Sequence, residues 1–124
     1  MPLLLASHRM RTLLENLSDS LLSKCPSIEW NDSDQWRTFK TKQNGLVFVR
    51  IRPYKDSIAI FPHLPLSYME QIESFKVFPV SGKKWEKKRP FRFNIVKQEQ
   101  IQETIHILMD ANYYTINGTL EHPP

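Results

Sequence analysis

Residues 36–61, WRTFKTKQNGLVFVRIRPYKDSIAIF, decide the fold, because they predict three short strands joined by two tight turns. Successive strand residues point to opposite faces of a sheet, so alternating residue types indicate a strand with one buried face. The pair Asn44-Gly45 is a strong hairpin signal, since both residues tolerate a positive φ. Pro53 and Asp56 mark the second turn. The segment therefore predicts a three-stranded antiparallel meander.

The middle strand of this meander, 46–52, assigns side chains to the two sheet faces. Val47, Val49 and Ile51 share one parity and are expected to face the core. The other parity begins apolar and ends cationic, and its members are expected on the opposite face: Leu46, Phe48, Arg50 and Arg52. A slip of one residue in the pairing would exchange the two faces.

Length and composition predict one domain over residues 1–124, with a core over about 8–114 and a loose tail over 115–124. The net charge of +4 permits an anionic partner such as nucleic acid. Cys25 is the single cysteine, which excludes an internal disulfide and fits a reducing compartment. The apolar run 3–6 is too short for a secretion signal, and no stretch approaches the ~20 apolar residues of a membrane span. We therefore expect a cytoplasmic protein with no membrane contact.

Helical periodicity and helix breakers predict the remaining elements. Leucines at helical spacing predict a helix over 8–24, which Ser7 caps and Pro26 ends. The other expected elements are a loop over 26–35, a short helix over 66–73, an edge strand over 75–80, a hydrophilic loop over 81–90, a strand over 91–96 and a second long helix over 98–114. The order α-β-β-β-α-β-β-α predicts a two-layer α+β domain, in which a five-stranded, mainly antiparallel sheet carries the helices on one face.

This order resembles that of the small YdhG-like and YjbR-like domains, which share the architecture of the secretion chaperones. Three runs, FKTKQNGLVFVRIRPYKDSIAIFPHL, GKKW and FRFNIVKQEQIQETIHILMDANY, together resemble the uncharacterised domain of predicted transport proteins that occurs beside nuclease-like domains. Gly82, Trp85 and either Tyr113 or Tyr114 match that family as particular residues. The family carries no established catalytic residues. For the broader groups, the resemblance implies DNA binding or iron chaperoning.

The residues that usually carry catalysis or bind metal are scattered along this sequence. The four histidines, His8, His63, His106 and His122, are far apart and lack the short spacings of a metal motif. Cys25 follows the first predicted helix, where the helix dipole disfavours a thiolate. With three glycines the chain has no phosphate-binding glycine loop. We therefore predict no catalytic residue, no metal, no cofactor and no enzymatic activity.

The cations form the one grouping with a functional interpretation. Residues 83–89 hold five positive charges and one negative charge, with Trp85 among them. Strand parity places five further cations on the face opposite the core, beside Trp36 and Phe48. Phosphates pair with lysine and arginine while bases stack on aromatic rings, so we predict that this surface binds nucleic acid. The predicted binding residues are Lys40, Lys42, Phe48, Arg50, Arg52, Lys83, Lys84, Trp85, Lys87, Lys88, Arg89 and Arg92.

Two other interpretations of the same residues stay open. Charges in loops and on open sheet faces are ordinarily solvated and discourage aggregation. An open face that holds Trp36, Leu46 and Phe48 is also a candidate surface for a protein partner or for a homodimer.

Overall fold

The structure is a computed structural model, and it describes residues 6–82 and 87–121. Within these ranges two α-helices enclose six strands in sequence, which confirms the predicted α+β class. The elements are α1 (His8–Lys24), β1 (Ile28–Asp32), β2 (Arg37–Thr41), β3 (Val47–Pro53), β4 (Ile58–Pro62), a 3₁₀ helix (Leu66–Gln71), β5 (Val77–Pro79), β6 (Phe91–Ile95), a 3₁₀ turn (Gln98–Gln100) and α2 (Ile101–Asn117).

All six strands belong to one antiparallel sheet with the order β1-β2-β3-β4-β6-β5. The predicted meander is confirmed as β2, β3 and β4. Gly45 adopts a φ of 72° in the first turn, as the Asn-Gly signal indicates. The predicted edge strand near Pro79 is β5, which lies at the sheet edge and is shortened to three residues.

The prediction of five strands is wrong, because a sixth strand, β1, lies within the predicted loop 26–35. β1 pairs with β2 so that Trp30 lies opposite Phe39. The centroids of these two rings are 5.4 Å apart. The polar composition of the segment suggests a loop, but pairing with β2 and burial of Ile28 favour a strand.

The predicted helix boundaries hold at the first helix and shift at the second. The backbone N–H of Met10 donates to the Ser7 side chain at 3.2 Å, so Ser7 caps α1 as predicted. α2 continues to Asn117 and ends at Gly118, whose φ of 73° suits a helix C-terminus. Residues 115–117 therefore belong to the helix, whereas the sequence assigned them to the tail.

The two helices pack on one face of the sheet and enclose the core. Apolar side chains of α1 and α2 form one buried cluster with alternate strand residues, including Phe39, Ile51 and Phe93. We call the opposite side of the sheet the open face. Neither of the two helices in the described ranges combines the length and the apolar content that a bilayer span requires.

A β-bulge in β3 changes the predicted faces of two residues. Phe39 pairs with Val49, but the next residue of β2, Lys40, pairs with Val47, so Phe48 is left unpaired between them. Phe48 is fully buried in the core, with its ring centroid 6.2 Å from that of Phe39. The predicted positions of Phe48 on the open face and of Val47 in the core are therefore wrong. Beyond the bulge, Val49 and Ile51 are buried as predicted.

Candidate functional site

Cross-strand pairing brings the strand cations together on the open face. Residues that lie directly opposite each other in antiparallel strands project from the same face. Arg50 lies opposite Thr38 on one side and Phe61 on the other. The remaining neighbours follow the same rule: Lys40 lies opposite Val47, Arg52 opposite Ala59, Asn94 opposite Ala59, and Arg92 opposite Phe78. The four cations Lys40, Arg50, Arg52 and Arg92 therefore share this face, as their parity predicts.

Aromatic rings hold two of these guanidinium groups in place. The Cζ atom of Arg50 lies 4.4 Å from the ring centroid of Trp36. The Cζ atom of Arg52 lies 5.7 Å from the Trp36 centroid and 5.0 Å from that of Tyr54. Trp36 also packs edge-on against Phe61, with 5.3 Å between the centroids. Cation–π attraction at such distances holds the guanidinium groups beside the rings.

Arg92 is fixed by a second aromatic contact and by a short polar chain. Its Cζ atom lies 4.6 Å from the ring centroid of Phe78 on the edge strand. Its Nη1 donates to the Asn94 side chain at 2.7 Å, and Asn94 in turn donates to Ser57 at 3.2 Å. Arg92 therefore stands at a defined position beside β4 rather than extending freely into solvent.

Within residues 6–82 and 87–121, the four strand cations form no ion pair with a carboxylate. Burial lowers the pKa of Arg50. Burial, followed by the charge of Arg50, lowers the pKa of Arg89 to about 10. Both groups are protonated at neutral pH, so like charges are crowded on this face. An anion placed among them would relieve that repulsion.

One cavity on the open face is lined by rings and cations. It measures about 470 Å³, within the ~300–1,000 Å³ that small-ligand cavities occupy. We call it the aromatic cavity. Its lining residues are Trp36, Arg52, Tyr54, Phe61, Pro79, Val80, Ser81 and Arg92.

A second cavity lies where the β2–β3 turn, the end of β4 and the loop before β6 meet. It measures about 480 Å³, and most of its polar lining is basic. We call it the basic cavity. Its lining residues are Lys40, Gly45, Leu46, Val47, His63, Lys88 and Arg89.

The predicted site residues in the turns and loops differ in exposure and position. Lys42 is exposed in the β2–β3 turn and lines neither cavity, whereas Lys87 is exposed in the loop before β6. Arg89, predicted as a loop cation, is 8% exposed and lines the basic cavity together with Lys40 and Val47. Lys83, Lys84 and Trp85 lie outside the described residues.

The sequence-based prediction did not include four residues of the site: Tyr54, Phe61, Phe78 and His63. Phe61 belongs to the apolar run IAIF, whose residues are all buried, so alternation cannot assign its face. Tyr54 lies in a turn, where parity does not apply. A ring beside an alternating Arg-x-Arg strand is the signal that could have identified Tyr54.

Metal binding and cysteine-based catalysis have less support among the described residues. No group of three or more histidine, cysteine, aspartate or glutamate side chains within residues 6–82 and 87–121 is arranged to hold a metal ion. Burial raises the pKa of the Cys25 thiol, which therefore stays protonated at neutral pH. A protonated thiol is a poor nucleophile.

Searches among protein-family models, curated proteins and solved structures find no match for this chain. The resemblance to the small domain of predicted transport proteins therefore stays a prediction.

Proposed function

We propose that this protein binds single-stranded nucleic acid on the open face of its sheet and catalyses no reaction. One observation carries the proposal. Lys40, Arg50, Arg52 and Arg92 share one sheet face with aromatic rings and form no ion pair among the described residues. Surfaces that bind single strands combine these two components, cations for the phosphates and rings for the bases.

The aromatic cavity favours single strands over duplexes. In a duplex the bases are stacked inside the helix, whereas an unpaired base can turn outward and stack on a ring. Trp36 and Tyr54 are partly exposed rings that line this cavity, and Arg52 and Arg92 line it as well. A base in the cavity would bring its flanking phosphates near these guanidinium groups.

The stacked guanidinium groups suit phosphate recognition for a second reason. Arg50 is already held over Trp36 and Arg52 is held between Trp36 and Tyr54. Less side-chain freedom is then lost when a phosphate binds, so more of the interaction energy appears as affinity. A planar guanidinium group can also stack on a base directly.

The alternative proposal, a surface for a protein partner or a homodimer, has fewer exposed apolar residues than the sequence predicts. Of its three proposed residues, Phe48 lies in the core. Leu46 is 53% exposed and remains available for an apolar contact. Light scattering at high protein concentration tests this alternative, since a dimer would show twice the mass of 14.7 kDa.

Fluorescence anisotropy with a labelled single-stranded oligonucleotide at low salt tests the proposed function. We expect binding to the single strand that is tighter than binding to the matching duplex. The double variant Arg52→Gln/Arg92→Gln should weaken it by about tenfold or more, since two charge-assisted contacts are lost. The matched control is Arg9→Gln/Lys24→Gln, which removes two exposed cations from α1. An absence of binding, or an equal loss in the control, would contradict the proposal.

A further inference from the structure

The basic cavity brings four basic side chains from separate segments together. Lys40 comes from β2, His63 follows β4, and Lys88 and Arg89 come from the loop before β6. No described carboxylate lines this cavity. Glu29 lies opposite Lys40 on β1, but it is exposed and does not line the cavity. The chemistry of the lining therefore fits an anion.

Hydrogen bonding fixes the tautomer of His63. The Thr115 hydroxyl donates its single hydrogen to the Ala111 carbonyl at 2.8 Å, so it can only accept from His63. The His63 Nδ1 lies 2.8 Å from that hydroxyl oxygen and must therefore donate to it. In the neutral ring Nε2 is then the atom without a proton, and in the charged ring it becomes a second donor.

The surroundings of His63 also hold the ring in one orientation. The Tyr114 ring packs edge-on against it, with 5.3 Å between centroids. Asn44, in the turn that borders the cavity, donates to the Thr115 carbonyl at 3.2 Å and links the turn to α2. His63 is therefore a positioned group rather than a freely rotating surface side chain.

Cationic side chains of the cavity act on the His63 ring. Burial lowers the pKa of His63, and the charges of Arg89 and Lys88 lower it further. An anion bound among these groups would reverse the effect of the two charges and favour the protonated ring. Binding of such an anion is then coupled to proton uptake by His63.

We propose that the basic cavity binds the terminal phosphomonoester of a nucleic-acid strand that lies on the open face. This inference rests on the proposed function. A terminal phosphate carries about −1.5 to −2 charges and three acceptor oxygens, whereas an internal phosphodiester carries one charge and is linked on both sides. Four convergent basic groups match the terminal phosphate better. Lys40 belongs both to the open face and to this cavity, so it connects the two.

The decisive experiment compares three oligonucleotides of one sequence, with a 5′-phosphate, a 3′-phosphate or hydroxyl groups at both ends. We expect one phosphorylated form to bind about tenfold more tightly than the hydroxyl form. Lys88→Gln, at an exposed position, and His63→Gln should each reduce that preference by at least about threefold. Lys24→Gln on α1 is the matched control and should leave the preference unchanged.

Each result separates the inference from the function on which it rests. If all three oligonucleotides bind equally, the terminal-phosphate site is wrong and nucleic-acid binding stands. If no oligonucleotide binds, both proposals fail. In either case, titration with inorganic phosphate, followed through the His63 ring resonances, shows whether the cavity binds a free phosphate instead of a strand end. A rise in the pKa of His63 in that titration assigns the cavity to small phosphates.

Discussion

The guanidinium group of Arg50 lies over the indole ring of Trp36, with 4.4 Å between Cζ and the ring centroid. Arg50 extends from the middle of the sheet, and Trp36 stands immediately before β2. This pair places one fixed charge and one ring side by side on the open face. It is the smallest unit that shows both components of the proposed nucleic-acid surface.

Two substitutions separate the effect of the Arg50 charge on binding from the effect of its planar group. Arg50→Gln removes one phosphate-binding cation, so the slope of log K against log salt should fall in magnitude by about 0.7 for a single strand. Arg50→Lys keeps the charge, so the slope should stay the same, while affinity falls because the planar stacking group is lost. Anisotropy titrations over a series of salt concentrations measure both quantities. Identical slopes for the two variants would show that Arg50 contacts no phosphate.

The bulge at Phe48 predicts a strong contrast between two apolar positions that are two residues apart. Phe48→Ala should lower the free energy of unfolding by about 3–5 kcal/mol, because the ring is fully buried. Leu46→Ala, at a 53% exposed side chain, should change it by less than about 0.5 kcal/mol. Urea denaturation of the two variants measures the difference. A small effect at Phe48 would restore the sequence-based assignment of Phe48 to the open face.

Arg37 is a cation with a structural role. Its Nε and Nη2 donate to the two Asp32 oxygens at 2.7 and 2.8 Å, and Nη1 lies 2.7 Å from Glu15 on α1. The Arg37 side chain is 6% exposed, that of Asp32 20% and that of Glu15 54%. Arg37→Gln should lower the free energy of unfolding by about 3 kcal/mol, whereas Glu15→Gln should lower it by less than about 1 kcal/mol. Similar losses of unfolding free energy for the two variants, measured by urea denaturation, would contradict this expectation.

The lowered pKa of His63 predicts how stability depends on pH. The folded protein disfavours the charged ring, so below the ordinary pKa of 6.5 the unfolded chain binds the additional proton. Stability from this residue is therefore present above pH 6.5 and is lost as the pH falls toward the folded-state pKa. The groups around the ring are Arg89, Lys88, Thr115 and Tyr114.

The variant His63→Gln isolates this contribution, because all other groups titrate in both proteins. The free energy of unfolding of the native sequence should fall more steeply between pH 7.5 and 5.5 than that of the variant. The difference in slope should stay below about 1.4 kcal/mol per pH unit, which is the limit for one proton. Parallel profiles would show that the folded state does not disfavour charged His63.

The elements that depend on local signals were predictable from the sequence. Ser7 and the leucine spacing define α1, and Asn44-Gly45 defines the first hairpin. The parity of Arg50, Arg52 and Arg92 also predicted correctly that they share the open face. These residues lie beyond the bulge or on another strand, so the bulge does not alter their assignment.

The features that depend on partners distant in sequence were not predictable. The bulge at Phe48 arises from pairing with β2, and it is invisible in the alternation of β3 alone. β1 is polar in composition and becomes a strand through its pairing with β2. Arg89 is buried close to Arg50, which no local pattern indicates. These contacts set which aromatic and basic groups can meet at the two cavities.

Residue-specific NMR during titration with a single-stranded oligonucleotide tests the central proposal most directly. The two faces of the sheet provide internal pairs: Trp36 and Arg50 lie on the open face, whereas Trp30 and Arg37 lie on the core side. The proposal predicts that the indole N–H of Trp36 and the Nε–H of Arg50 shift with added oligonucleotide, while those of Trp30 and Arg37 stay in place. Shifts confined to Trp30, Arg37 and the helices, or no shifts at all, would contradict it.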